Sequence, residues 1–206
     1  MKRIVMDCAV KIQSTPRIIW DNIMDSSHFR HRHWKRFKAV EVIEQRGHYE
    51  AMYYNSYVLP PLPITRSFVT VREGNPDDCT VRQLYCDVAS GHKIYLEIRL
   101  VPADCGAVFH SHFVIELGGV MAWFPRLFAR LAYRRLHLMY LEDLEIWKER
   151  AARPLVSNPH CAPDILSMFE ELRQGFDAHF QQAAAEGAPR FTFEADLSQA
   201  HADPQD

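Results

Sequence analysis

Two histidines in the first third of the chain have a spacing that could bind a metal ion. His28 and His33 lie about 140° apart around an ideal helix, so both imidazoles reach one ion only if the helix unwinds or ends near Phe29. Two histidines and one carboxylate on adjacent corners of an octahedron leave three positions open, which suits ferrous iron, O2 and a substrate. Asp25 is too close to His28 in sequence to be the obvious third ligand. Asp143, midway along a predicted long helix, is our candidate for it.

Other interpretations of these residues remain open. His31 is three residues from His28 and replaces His33 as a ligand if the helix stays regular. The stretch from His28 to Phe37 mixes histidines with basic and aromatic side chains, a pattern that is also typical of a solvated basic segment. An acidic residue on a long helix, such as Asp143, is most often simply exposed to solvent.

Composition predicts one cytoplasmic domain with a large apolar core. The 206 residues are 48% hydrophobic, and 24 Lys and Arg against 26 Asp and Glu argue against a general nucleic-acid binder. No apolar run reaches the roughly 18 residues of a membrane span, and the N-terminal apolar stretch is too short for a signal peptide. The five cysteines form no CxxC or CxH pair, so the sequence predicts no disulfide framework, zinc site or iron–sulfur cluster.

The hydrophobic pattern predicts strands first and helices later. A strand covers 3–12, and a helix covers 16–27 after the cap-like pair Ser14-Thr15. Turn residues break the next region into six strands, whose spacing of 10 to 15 residues leaves no room for crossover helices and therefore predicts an antiparallel meander. The predicted strands are 39–45, 49–58, 64–72, 79–88, 93–101 and 107–117.

Helical periodicity follows Gly118-Gly119. A long helix is predicted over 121–152, with a possible interruption at Pro125, and a further helix over 164–182. Residues 183–206 are small and polar with no periodicity, so we expect a flexible tail after a single domain of residues 1–182.

This order of elements resembles the helix-grip fold of the START/Bet v1-like (SRPBCC) superfamily, whose members bind hydrophobic ligands. The opening VKIQSTPRIIWDNIMD is similar to the start of that superfamily, with a strand, a proline and a helix that carries Trp20. The resemblance implies an α+β protein in which a curved antiparallel sheet of about seven strands wraps a long C-terminal helix around a hydrophobic cavity. The residues we expect to line that cavity are Phe29, Tyr53, Tyr57, Phe109 and Tyr140.

A narrower resemblance concerns the catalytic domain of Rieske non-heme iron oxygenases, whose iron motif reads N-x2-D-x2-H-x4-H. Asn22, Asp25, His28 and His33 match every spacing, and NIMDSSHF is similar to the NIVDxAHF of the steroid-hydroxylating and cholesterol-desaturating branch. The segment ED-x2-IW, which contains Asp143, resembles the segment that holds the third ligand in that branch. The resemblance implies Fe(II) on His28, His33 and Asp143. It also implies that Asp25 passes electrons to the iron, with Asn22 beside it.

The chain departs from that family because it lacks the C-x-H and C-x2-H pairs that hold a Rieske cluster. One functional hypothesis is an iron oxygenase that acts with O2 on a steroid-, terpenoid- or aromatic-like substrate and takes electrons from a separate ferredoxin or Rieske-type partner. The alternative is a metal-free START/Bet v1-like protein that binds or cyclises a hydrophobic ligand. A third hypothesis is that the protein is an accessory subunit of a protein that carries a Rieske or ferredoxin cluster. The sequence does not predict the substrate or the oligomeric state.

Residues 119–136 combine aromatic side chains with four arginines at helical spacings. Such a basic, amphipathic pattern is typical of a peripheral contact with a membrane surface, through which a lipophilic substrate could enter. The alternative is a core helix whose arginines reach solvent along their aliphatic stems.

Overall fold

Eight β-strands form one curved sheet in the computed structural model of the protein, which describes residues 2–26, 33, 36–57, 64–104, 106–144, 147 and 165–198. The strands are β1 (Lys2–Ile12), β2 (Phe37–Arg46), β3 (Tyr49–Tyr57), β4 (Thr65–Asn75), β5 (Thr80–Asp87), β6 (Lys93–Ala103), β7 (Gly106–Leu117) and β8 (Arg190–Asp196). Their order across the sheet is β2-β3-β4-β5-β6-β7-β1-β8.

The strands from β2 to β7 form the predicted antiparallel meander, and β1 pairs antiparallel with β7. The strand bounds lie within three residues of the predicted ones. The connections are short; between β2 and β3 only two residues turn the chain, and Gly47 takes a φ of +58° there. Glycine adopts this left-handed conformation without the steric cost of a Cβ atom.

The helices are α1 (Pro16–Ile23), a 3-10 turn (Gly119–Trp123), α2 (Pro125–Asp143), α3 (Ile165–Glu170), a π turn (Glu171–Gly175) and α4 (Phe176–Ala185). α1 begins as predicted, with the Thr15 hydroxyl accepting the backbone N–H of Ile18 at 3.4 Å. The predicted long helix is interrupted at Pro125, because proline has no N–H to donate to a preceding turn. The predicted helix over 164–182 is divided by the π turn and extends to Ala185.

The sheet is covered on both faces. We call the face under α1 and α2 the inner face and the face under α3 and α4 the outer face. Side chains of β1 alternate between them, so that Ile4, Met6 and Cys8 pack in the inner cluster while Val5 packs in the outer one. The outer cluster also contains Met168 of α3, and it buries the C-terminal helices against the sheet.

The prediction of a flexible tail from residue 183 is wrong for residues 190–196. They form β8, which pairs with β1 in parallel, so the sheet is mixed and has one strand more than predicted. Phe191, Phe193 and Ala195 alternate along β8 and pack against the inner cluster. This short alternation is the signal that the sequence prediction overlooked. Residues 199–206 lie outside the described residues.

α2 does not pack tightly on the sheet along its whole length. Only Ala129, Tyr140 and Asp143 among its 19 residues are buried. Phe128 and Leu136 face the inner cluster and stay partly exposed. The inner face of the sheet and this side of α2 therefore form two facing, mainly apolar surfaces.

Candidate functional site

The structure brings together two of the three predicted metal ligands. His33 lies just before β2 and Asp143 is the last residue of α2, yet Nε2 of His33 is 2.9 Å from Oδ1 of Asp143. The His33 side chain is 0% exposed, and that of Asp143 is 11% exposed. The third predicted ligand, His28, lies outside the described residues, as do its rival His31 and the predicted pocket residue Phe29.

A second carboxylate holds the other side of the His33 ring. Nδ1 of His33 is 2.5 Å from Oε2 of Glu142, and Arg36 donates to Oε1 of Glu142 at 2.7 Å from Nη2 and 3.1 Å from Nε. The backbone fixes this position as well, because Arg36 and Phe37 both donate their N–H groups to the His33 carbonyl. The imidazole is therefore clamped between two adjacent carboxylates.

This arrangement shifts the pKa values of the groups involved. Burial acts to lower the pKa of His33, but the hydrogen bonds and charges of Asp143 and Glu142 outweigh it and raise that pKa to about 9. Burial acts to raise the pKa of Glu142, and its hydrogen bonds to His33 and Arg36 lower it below the usual range. The two acidic side chains therefore favour the protonated, cationic form of the His33 ring.

The same geometry fits two ligands of one metal ion. Two donor atoms at right angles, each about 2.1 Å from a metal, lie roughly 3 Å apart, as Nε2 of His33 and Oδ1 of Asp143 do. Histidine ligands usually donate the other ring N–H to a carboxylate, and Glu142 occupies that position. Within the described part of the chain, no three His, Cys, Asp or Glu residues form a group able to hold a metal. A metal centre built on His33 and Asp143 would need a further protein donor from outside the described residues.

Asn22 and Asp25 lie at the end of α1, upstream of His33. The Asn22 side chain is buried, and its amide nitrogen donates to the Ile18 carbonyl at 2.8 Å, within the helix. Asp25 follows α1 and donates its backbone N–H to the Asn22 carbonyl at 3.2 Å. The proposed roles of Asn22 and Asp25 beside an iron remain predictions.

The predicted pocket residues separate onto different faces of the sheet. Tyr53 packs with the outer cluster, and its hydroxyl is 2.8 Å from the Ser67 hydroxyl. Tyr57 ends β3 and alternates in phase with Tyr53. Phe109 and Tyr140 belong to the inner cluster and contact one another at 5.1 Å between ring centroids. They belong to the packed core beneath the C-terminal end of α2.

The sequence analysis missed an aromatic cluster on the inner face. Tyr54 of β3 contacts the rings of Phe37, Phe68 and Tyr85 at centroid distances of 5.3, 5.4 and 6.1 Å. Phe37 is also 6.2 Å from the His33 ring, so the cluster is continuous with the candidate site. The alternation of side chains along β3 could have revealed this cluster. Tyr53 was predicted to line the cavity, but Tyr54 is the next residue and therefore lies on the opposite, inner face of the sheet.

A buried ion pair positions the chain where it leaves α1. Arg72 and Glu50 bond to each other and are 1% and 0% exposed, and Ser26 donates to Oε2 of Glu50 at 2.6 Å. Arg72 also donates to the Ser26 hydroxyl. These contacts fix Ser26 against β3 and β4, seven residues before His33.

The 3-10 turn and α2 present an exposed surface that is both apolar and basic. Its apolar members include Trp123, which is 81% exposed, and its arginines are Arg126, Arg130 and Arg134. We call this set the basic apolar surface; its apolar residues are Val120, Met121, Trp123, Phe124, Leu127 and Leu131. No helix in the described ranges is long and apolar enough to cross a membrane.

Comparisons with known proteins identify the fold. No family model and no curated protein matches the chain. The crystal structure of a protein from Thermus thermophilus has 10% identity and a TM-score of 0.59, covering 73% of this chain and 99% of that one. The Zhui aromatase/cyclase from Streptomyces sp. R1128 has 13% identity and a TM-score of 0.51, with coverage of 84% and 98%. A START superfamily protein from Mycobacterium smegmatis has 10% identity and a TM-score of 0.51, with coverage of 72% and 98%.

These comparisons give no support to the Rieske oxygenase assignment, which rests on residue spacing. At such low identities the likeness concerns architecture only. It agrees with the curved eight-stranded sheet and the helix α2 across its inner face. The chain has the helix-grip fold of START/Bet v1-like proteins.

Proposed function

We propose that the protein binds a largely apolar small molecule between the inner face of the sheet and α2. The observation that carries this proposal is the set of partly exposed apolar side chains on both facing surfaces, such as Ile94 of β6 and Leu136 of α2. Binding sites for small molecules are usually concave and mainly apolar with a few polar groups, and here the polar groups cluster around His33.

The structural neighbours are consistent with this proposal. They include an aromatase/cyclase and a START superfamily protein. Their shared architecture places a helix across a curved sheet. A ligand bound in the corresponding place in this chain would contact the aromatic cluster around Tyr54, next to His33. Whether the bound molecule is carried or chemically changed depends on the groups around His33.

A dye-binding experiment tests the proposal. An apolar fluorescent probe, N-phenyl-1-naphthylamine, should bind the wild-type protein with increased emission. Leu136→Trp places a larger ring between α2 and the sheet and should weaken binding at least ten-fold. Leu138→Trp is the matched control, because Leu138 is exposed on the same helix. If Leu136→Trp disturbs folding by circular dichroism, Ile94→Phe tests the same space from the sheet. No probe binding to the wild type, or equal binding by all folded variants, would contradict the proposal.

A second candidate function, iron-dependent oxygenation of the bound molecule, is favoured by the contact between His33 and Asp143. His33 and Asp143 would hold Fe(II), with His28 as the third ligand, and the metal would supply O2 activation when bound. Glu142 keeps the ring of His33 oriented, with Nε2 toward Asp143. Arg36 offsets the charge of Glu142. Electrons would come from a separate ferredoxin or Rieske-type protein.

We also propose that the basic apolar surface contacts an anionic membrane. Trp123 and Phe124 project from the turn, and three exposed arginines follow at intervals of four residues on α2. No Asp or Glu occurs between Glu116 and Glu142, so nothing along this segment neutralises the arginines. Aromatic and aliphatic side chains beside arginines are typical of helices that lie in the membrane interface. Such a contact would bring α2 close to a source of lipophilic ligand.

A further inference from the structure

Arg135 occupies a different environment from the three arginines of the basic apolar surface. It is partly buried on the side of α2 that faces the end of β3. Its Nη1 donates to the Tyr57 carbonyl at 2.8 Å, and its Nη2 donates to the Ser56 hydroxyl. Both acceptors are neutral, so these bonds orient the guanidinium without balancing its charge.

Two other arginines near the candidate site, among the described residues, each have a carboxylate partner. Arg72 pairs with Glu50, and Arg36 pairs with Glu142 at 2.7 Å. Among the described residues no carboxylate lies within ion-pair distance of Arg135. A guanidinium that is partly withdrawn from water and lacks an anionic partner favours the binding of an anion.

Tyr85 supplies a second polar group, close enough to Arg135 for the two side chains to interact electrostatically. Its ring contacts Tyr54, and the Arg135 guanidinium lies 5.9 Å from the ring centroid of Phe37, which contacts Tyr54 from another side. The Tyr85 hydroxyl makes no hydrogen bond to any residue in the described part of the chain. Burial raises the pKa of Tyr85 to about 12, although the nearby charges of Arg72 and Arg135 oppose this shift. The hydroxyl therefore stays protonated and can donate.

We infer that Arg135 and Tyr85 form a subsite for an anionic oxygen, such as a carboxylate, on the otherwise apolar ligand. This inference rests on the proposed function and specifies the ligand class: an amphipathic acid rather than a neutral hydrocarbon or alcohol. The apolar part of the ligand lies along the aromatic cluster and α2. The acidic group meets the guanidinium, whose remaining N–H groups suit a two-oxygen acceptor.

A matched pair of ligands tests the inference. Decanoate and decan-1-ol have the same chain length and differ in charge, and both can be measured at pH 7.5 by displacement of N-phenyl-1-naphthylamine. Wild-type protein should prefer decanoate about ten-fold or more, the effect of a charge-assisted hydrogen bond. Arg135→Gln should remove this preference, and Tyr85→Phe should reduce it. Arg99→Gln is the control, because Arg99 is 62% exposed on β6 and pairs with Glu97.

The outcomes separate this inference from the proposed function. Equal affinity for the two ligands, or an unchanged preference in Arg135→Gln, overturns the subsite while probe binding still supports the apolar site. Arg135→Lys keeps the positive charge and should retain part of the preference, which a purely structural role of Arg135 does not predict. If Arg135→Gln fails to fold, Arg135→Lys and Tyr85→Phe provide the measurement. Failure of both ligands and the probe to bind contradicts both proposals.

Discussion

Nε2 of His33 lies 2.9 Å from Oδ1 of Asp143, although the two residues are 110 positions apart in the chain. The contact joins the start of β2 to the end of α2 and brings the second carboxylate, Glu142, onto the other ring nitrogen of His33. The two atoms are close enough to form an ion pair, and the same separation would suit two neighbouring ligands of one metal ion. Experiments on this pair therefore decide between the two candidate functions.

The first prediction concerns iron content. Protein loaded with Fe(II) without oxygen should hold about one iron per chain, and His33→Ala, Asp143→Ala and His28→Ala should each lose it because a ligand is removed. His112→Ala is the control, since His112 bonds to Asp7 away from this site. Iron counting by a chromogenic chelator measures the result. Iron that persists in all three variants, or fails to bind the wild type, would exclude this metal centre and leave the metal-free ligand-binding function.

The second prediction concerns the buried pair of Glu50 and Arg72. Glu50→Gln leaves the Arg72 charge buried without its partner and should lower the free energy of unfolding by about 3–5 kcal/mol. The double variant Glu50→Leu/Arg72→Met should recover most of this loss. The control is Glu44→Gln, whose partner Arg46 is 83% exposed, and its cost should be under about 1 kcal/mol. Urea unfolding measures the free energy of unfolding of all three variants. A loss of stability in Glu50→Gln as small as that in Glu44→Gln would disprove the prediction.

The third prediction concerns pH and the helices on the outer face. Burial acts to raise the pKa of Glu171, but its hydrogen bonds to Lys93 and Tyr95 outweigh this and lower it, while burial lowers the pKa of His179. A carboxyl with a lowered folded pKa stabilises above its unfolded value of 4.5 and loses that contribution as pH falls through the folded value. A histidine with a lowered pKa destabilises once pH falls below 6.5, since the unfolded chain takes up the proton first.

Both groups therefore act in the same direction, and their contribution to stability should fall as pH decreases from about 6.5 to 4. The raised pKa of His33 acts in the opposite direction, but only above its unfolded value of 6.5. His179→Gln should flatten the upper part of this curve, and Glu171→Gln the lower part. Asp177→Asn is the control, because Asp177 is 69% exposed. Urea unfolding at several pH values, with hydrogen exchange of α4, provides the measurement. Identical pH dependence in the wild type and both variants would show that this cluster does not couple protonation to folding.

The fourth prediction concerns the basic apolar surface. Vesicles containing anionic lipid should bind the protein more tightly than neutral vesicles, and each of Arg126→Gln, Arg130→Gln and Arg134→Gln should weaken binding about five-fold. Trp123→Ser should also weaken binding, by removing interfacial apolar area. Leu166→Ser is the control, since Leu166 is exposed on α3 over the outer face. Co-sedimentation measures binding. No preference for anionic vesicles, or dimerisation through this surface in size-exclusion chromatography, would reject the membrane contact.

Local patterns in the sequence were sufficient for most elements of the fold. Alternation predicted β1 through β7 because successive strand residues face opposite sides of a sheet. Pro16 marked the start of α1 because proline suits the first helical turn, and Pro125 marked an interruption of the predicted long helix. The spacing of Asn22, Asp25, His28 and His33 selected candidate residues without showing where they lie.

Contacts between distant segments were decided only by the tertiary structure. Whether Tyr53 or Tyr54 faces α2 depends on strand register, and a shift of one residue reverses the face. The pairing of β8 with β1 joins segments more than 180 residues apart, so no local pattern specifies it. No local pattern specifies the contact between His33 and Asp143 either. Nor does one show that Arg135 has no carboxylate partner among the described residues. Sequence determines which side chains are available and their local periodicity, whereas long-range packing determines which of them share one environment.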